Sequence, residues 1–302
     1  MTSGIELIDR AADFGPRTAV LDGDRSFTYH ALLNASAGVA SRLLSAVQAL
    51  DLEEARIAFL IPGSLEYVAV QWGVWRAGGM AVPLNAAAAD PEIEYVLENA
   101  EVGLVIVTAD SRQRMKPLCN RLGIPLLSAE GVMGVGSGTV AGWSADAAPR
   151  AASGPAPLPH VEPRRSGLML YTSGTTSRPK GVVSTHANIR AQILALVQAW
   201  GWETDDRIPL FLPLHHIHGI VNVLSCALWS GASVETFHAF DMERILERVG
   251  EEAYTVFMAV PTIYVKLIRA FEGASDEERD RWAAGFPSMR LMISGSAALP
   301  AA

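Results

Sequence analysis

One stretch of this chain is suited to an anion. Thr172-Ser173-Gly174-Thr175-Thr176-Ser177-Arg178-Pro179-Lys180 follows directly on the apolar run Leu168 to Tyr171 and ends at Gly181. A phosphate needs donors that approach closely with no bulky side chain in between. Glycine bares backbone N–H groups, hydroxyls add further donors and a lysine supplies charge. Four hydroxyls lie between Thr172 and Thr176, with Gly174 at the turn and Arg178 and Lys180 close by. Loops of Ser, Thr and Gly are also ordinary surface turns, and it is the position straight after a buried strand that favours a phosphate cradle. The Walker A ending Gly-Lys-Ser/Thr is replaced by Pro179-Lys180-Gly181, which disfavours a P-loop kinase.

A second cluster, His215, His216 and His218, sits in Leu212-Pro213-Leu214-His215-His216-Ile217-His218-Gly219. Three imidazoles within four residues could ligate a metal, but no HExxH pattern or carboxylate stands at ligand spacing. No metal site is expected from the protein residues present. Capping and polar packing at the start of the next helix is the plain reading, above all for His215. Cys119 and Cys226 lie far apart, without CxxC or Cys/His zinc spacing, and fit buried residues in a reducing compartment.

The elements that must position these groups come from a chain of 302 residues, half hydrophobic and 19% charged. That is about two domains' worth, enough for a substantial core. Lys and Arg number 24 against 32 Asp and Glu, a net charge of −8. Nucleic acids and anionic membranes call for clustered basic groups, so neither is an expected partner. An anion must be held by a local site. Met1 to Glu6 lacks the basic and apolar regions of a leader, and no run reaches the ~18 apolar residues of a membrane span. A soluble, cytoplasmic protein is expected.

Strand-like and helix-like segments alternate along the chain. Ala19 to Leu21 and Ser26 to Tyr29 flank a hairpin signal at Asp22-Gly23-Asp24. Arg56 to Ile61, Met80 to Leu84, Val102 to Thr108, Leu168 to Tyr171, Arg207 to Leu212, Ser233 to Phe237, Tyr254 to Val260 and Arg290 to Ile293 read as strands. Helical spacing marks Leu32 to Val47, the face Leu65, Val68, Trp72 and Trp75, a segment opening at an Asp90-Pro91 cap, and Ala187 to Trp200. It also marks Ile217 to Trp229, Met242 to Val249 capped by Asp241, and Ile263 to Phe271. Such alternation implies an α/β fold of parallel sheets flanked by helices. Residues 1–130 form an N-terminal α/β subdomain, 131–165 a Gly/Ala/Pro-rich surface connection, and 166–302 a second α/β subdomain.

Thr172 to Gly181 resembles the AMP-binding signature of adenylate-forming enzymes: acyl-CoA synthetases, peptide-synthetase adenylation domains and luciferases. The resemblance implies that this loop holds the β- and γ-phosphates of ATP while a carboxylate attacks the α-phosphate. Ser177 stands where most members carry glycine, at a cost of roughly 1 kcal/mol if positive φ is required. Leu212 to Gly219 resembles the second signature, in which a histidine or aromatic borders the acyl pocket, and the match puts that role on His216. Val260-Pro261-Thr262-Ile263-Tyr264 and Ile293-Ser294-Gly295-Ser296-Ala297-Ala298-Leu299-Pro300 match in the expected order, adding Ser294 to the substrate pocket. Ser184 to Trp200 and Leu212 to Trp229 are most similar to malonyl- and methylmalonyl-activating synthetases. A dicarboxylic acid needs a cation for its distal carboxylate. Lys266 and Arg190 are the candidates, a solvated helical charge being the plainer reading of each.

By this resemblance the fold is most of the large N-terminal domain of such an enzyme. The activity implied is that of an AMP-forming acid–CoA ligase using ATP, Mg2+ and coenzyme A on a small carboxylic acid, malonate or methylmalonate first. In the family the adenine, magnesium and ribose contacts and the adenylating lysine follow the Ser-Gly-Ser-Ala stretch. The chain is therefore expected to be incomplete at its C-terminus, inactive alone and prone to self-association, and no catalytic residue is assigned within it. An adenylation module that loads a carrier protein and a non-enzymatic fragment are the competing readings.

Overall fold

The computed structural model describes residues 2–133, 157–172 and 178–298. Its strands, in chain order, are β1 (Thr18–Asp22), β2 (Arg25–Thr28), β3 (Arg56–Leu60), β4 (Met80–Pro83), β5 (Leu104–Val107) and β6 (Leu126–Ser128). They continue with β7 (Ser166–Thr172), β8 (Lys180–Thr185), β9 (Arg207–Leu210), β10 (Ser233–Thr236), β11 (Val256–Ala259) and β12 (Leu291–Ser294). One sheet runs β6-β5-β3-β4-β7-β8, and another runs β2-β1-β10-β9. All neighbours are parallel except the hairpins β1–β2 and β7–β8. β11 and β12 form a parallel pair, and the N–H of Thr255, just before β11, donates to the Arg207 carbonyl of β9 at 3.0 Å.

The apolar runs explain the larger sheet. Every residue of β4 and β5 is buried, as expected of strands covered by helices on both faces. The helix Leu65–Arg76 is more enclosed than its predicted face, since Tyr67, Ala69, Val70 and Gln71 are buried as well. The β1–β2 turn falls at Gly23, whose φ is +61°. Asp241 caps its helix as expected, accepting from the Arg244 N–H at 3.1 Å. Asp90 does not. It is the first residue of the helix Asp90–Asn99, preceded by Ala89, and its carboxylate is taken by Arg114 Nε at 2.8 Å.

Two further differences bear on the site. Ile217 to Trp229 is not one α-helix: His218–Ser225 is π-helical and Cys226–Trp229 is α-helical. The Ser225 hydroxyl donates to the Ile220 carbonyl five residues back, at 2.7 Å, which suits the wider turn. β8 is an additional strand. It lies at the sheet edge with Val182 and Val183 both exposed, so no alternation marks it.

Strand pairing crosses the expected subdomain boundaries. β1 and β2 join β10, while β7 and β8 extend the sheet built from residues 56–128. Within the 131–165 connection, residues 134–156 lie outside the described residues. Its last part is anchored: Val161 is buried and donates its N–H to the Ser3 carbonyl, and Arg165 grips Asp51 at 2.6 and 2.7 Å. Among the described residues no helix is long and apolar enough to cross a membrane.

Candidate functional site

The segment expected to hold an anion lies between strands β7 and β8, which pair as an antiparallel hairpin. Ser173, Gly174, Thr175, Thr176 and Ser177 lie outside the described residues; Thr172, Arg178, Pro179 and Lys180 are described. Thr172 pairs with Lys180 and Tyr171 with Gly181 across the hairpin. Glycine at 181 lets the Tyr171 ring cross the partner strand, because a Cβ there would lie 3.2 Å from Tyr171 Cζ and 2.9 Å from Met169 Cε. The Tyr171 hydroxyl then donates to Asn99 Oδ1 at 2.8 Å. On the returning side, the Arg178 guanidinium carbon lies 5.4 Å above the Tyr95 ring, and the Tyr95 hydroxyl donates to the Pro179 carbonyl at 3.2 Å.

Beside this hairpin is a cleft of about 260 Å³ that includes Pro83, Asn85, Glu92, Tyr171, Pro179, His215 and His216 in its lining. It lies outside the carboxyl ends of β4 and β7, where open α/β sheets bind ligands. The His215 and His216 rings are 4.2 Å apart, tilted by 50°. Burial, with the neighbouring His216, pushes the His215 pKa down to about 4, and burial lowers that of His216. Both are therefore neutral near pH 7. They border the cleft without lending it charge.

His218 departs from the other two histidines. It is buried, and its Nδ1 is 2.7 Å from the Ser296 hydroxyl, with burial lowering its pKa. Ser296 holds φ at +64°, a conformation unusual for a residue with a side chain. Among the described residues no group of three His, Cys, Asp or Glu side chains could hold a metal ion. Cys119 and Cys226 are both free and buried, and burial raises their thiol pKa values, to about 11 and about 12.

The structure thus brings His216 together with Pro179 and the hairpin that carries Thr172, Arg178 and Lys180. Ser294, Lys266 and Arg190 do not line that cleft. Ser294 ends β12 exposed, opposite Ala259. Lys266 is exposed on the helix Pro261–Gly273, its Nζ 5.1 Å above the Phe240 ring. Arg190 is ion-paired with Glu6 of the helix Glu6–Phe14. Sequence reasoning missed Tyr95, Asn99, the Tyr171 ring and Ser296. The available signal was the spacing of Glu92, Tyr95 and Asn99, three and four residues apart, which sets a polar stripe on one helix face.

Comparison with known proteins shows the family. The AMP-binding enzyme model matches residues 7–302. The chain is 38% identical over 309 residues to the human mitochondrial malonate–CoA ligase ACSF3, covering 97% of this chain and 50% of that protein. It is 37% identical over 307 residues to the mouse protein of the same name, covering 98% and 50%. Among solved structures, ATP-bound MatB from Rhodopseudomonas palustris superposes with a TM-score of 0.75 at 27% identity, covering 98% of this chain and 56% of that one. The chain spans about half the length of the curated relatives it matches.

Proposed function

The chain belongs to the AMP-binding enzyme family, and from that premise we propose that its chemistry is ATP-dependent activation of a small dicarboxylic acid, malonate or methylmalonate, as a thioester of coenzyme A. One observation carries the reading. The β7–β8 hairpin sets Thr172 opposite Lys180 and returns Arg178 and Pro179 beside the cleft that holds His216.

The first step joins two anions. A carboxylate oxygen of the acid attacks the α-phosphorus of ATP, the bond to the bridging oxygen breaks, and pyrophosphate leaves with its electron pair. Donors of the hairpin turn, the ammonium of Lys180 and the guanidinium of Arg178 counter the triphosphate charge, and magnesium arrives with the nucleotide as part of the substrate. In the second step the thiol of coenzyme A attacks the acyl carbon, its proton is lost and AMP departs. A neutral His216 borders the acid without binding its charge, so the distal carboxylate needs a separate cation. Lys266 is the better candidate, because Arg190 is already occupied by Glu6. The choice of malonate rests on the names of the human and mouse relatives.

The test is acid-dependent ATP–pyrophosphate exchange in the protein carrying this chain in its whole reading frame. Exchange driven by malonate or methylmalonate is expected, and none with any small carboxylic acid would overturn the reading. For residues 1–302 alone we expect weak ATP binding, no acyl-CoA and self-association on size exclusion. A monomer that turns over malonate would refute that part. The compartment is read as cytoplasmic, with support from two unpaired buried thiols for a reducing one. The human and mouse relatives are named mitochondrial, and cell fractionation decides.

A further inference from the structure

We infer that the helix Asp90–Asn99 is the positioning element of the phosphate-binding hairpin, with Tyr95 acting through Arg178 and Pro179 and Asn99 acting through Tyr171. The inference rests on reading that hairpin as the ATP site. The helix is a fixed platform. Ile93, Val96 and Leu97 are buried, Asp90 is paired with Arg114 at 2.8 Å, and Glu94 is paired with Arg121 at 2.7 Å. Tyr95 and Asn99, one turn apart, point at the hairpin from one face.

The two side chains hold opposite stems of the same turn. Asn99 accepts from Tyr171 on the outgoing strand, and Tyr95 donates to the Pro179 carbonyl on the returning one. The Tyr95 ring also meets the Tyr171 ring edge-on, with centroids 6.4 Å apart, so the two grips touch. Arg178 gains most from the arrangement. A guanidinium over an aromatic face is attracted to it, yet its N–H groups can still reach an anion. Among the described residues no carboxylate pairs with Arg178, so its charge remains available for phosphate. Tyr95 and Asn99 need not touch the nucleotide themselves; they reduce the ordering that nucleotide binding must otherwise impose.

The test compares the full protein with Tyr95→Phe, which keeps the stack and loses the hydroxyl, and Tyr95→Leu, which loses both. Tyr95→Leu should raise KM for ATP about tenfold while leaving KM for the acid unchanged, and Tyr95→Phe should recover most of the loss. Amide hydrogen exchange in residues 178–185 should quicken in Tyr95→Leu and nowhere else. An unmoved KM for ATP overturns the inference, as does an equal rise in both KM values, which would mark a packing role. If the wild-type protein shows no ATP-dependent exchange, the functional reading fails, and the amide measurement still decides the positioning role. Unchanged exchange in residues 178–185 overturns it.

Discussion

Two strands deliver the signature segments, and different forces hold them. The β7–β8 hairpin is gripped by the half-buried Tyr95, with Arg178 over its ring, and by neutral hydrogen bonds. β12 is gripped by charge. Arg290, just before it, reaches Asp206, whose side chain is only 2% exposed and also accepts from Thr255 at 2.7 Å and the Glu203 N–H at 2.8 Å. A buried carboxylate cannot be left alone without a large penalty, whereas an aromatic platform tolerates a changed guest. The segment proposed to meet a phosphate therefore sits on the forgiving grip, and the strand leading to Ser294 and Ser296 on the unforgiving one.

The sharpest way to break this contrast is Arg290→Met. Stranding the Asp206 carboxylate should cost about 3–5 kcal/mol in denaturant unfolding. A loss below about 1 kcal/mol would mean that Asp206 is solvated and the contrast is false.

Acid titration sharpens it further. Burial works to raise the Asp206 pKa, but Arg290, the Glu203 N–H and Thr255 together hold it below the usual carboxylate range. A folded pKa below the unfolded one gives stability that is present above about pH 4 and lost as pH falls through the folded value. His186 and His215 act in a higher window. Burial holds both near 4, so the unfolded chain takes up protons first and stability declines as pH falls from about 6.5 toward 4. Unfolding followed from pH 7 to 3 should show both phases, and Arg290→Met should flatten only the lower one.

At the hairpin the expected effects fall on rate rather than stability. Lys180→Ala in the full protein should slow pyrophosphate exchange about ten- to a hundredfold with the unfolding midpoint unchanged, since hydrogen bonds to a charged group contribute ~1.5–3 kcal/mol. Exchange at the wild-type rate would remove the hairpin from the mechanism. Lys266→Met should lower the malonate-to-acetate preference about fivefold, a modest figure because the ammonium is exposed. An unchanged ratio clears it of contact with the distal carboxylate. The smallest effect is expected for His216→Ala: KM for the acid should rise about threefold, as befits one neutral contact, and KM for ATP should stay put. Equal changes for the two substrates would mark His216 as structural.

The fold class was readable because nearly every apolar run is bounded by turn residues, whereas the strand that returns after the Thr172 to Lys180 segment was not read. What escaped reading left no local trace or an ambiguous one. β8 carries exposed valines at an edge, so its residues do not alternate. Tyr95 and Asn99 act on a hairpin some eighty residues downstream, and helical spacing alone does not say what a face will meet. Asp90 has the type and place of a cap, but Arg114, from another helix, takes its carboxylate. Ser296 rather than Ser294 reaches His218, through a positive φ that sequence does not display.

The exchange of strands between the two sheets also governs the order of events during synthesis. Leu21 pairs with Glu235, so β1 emerges from the ribosome more than two hundred residues before the strand that will lie beside it. At about 5–20 residues per second the wait is roughly 10–40 seconds. Until then the β1–β2 hairpin shows an open edge that any other nascent strand can occupy. The larger sheet likewise gains its last two strands only once residues 172 and 185 have been made. Neither sheet can close early, and the vulnerable interval for this protein is its own translation.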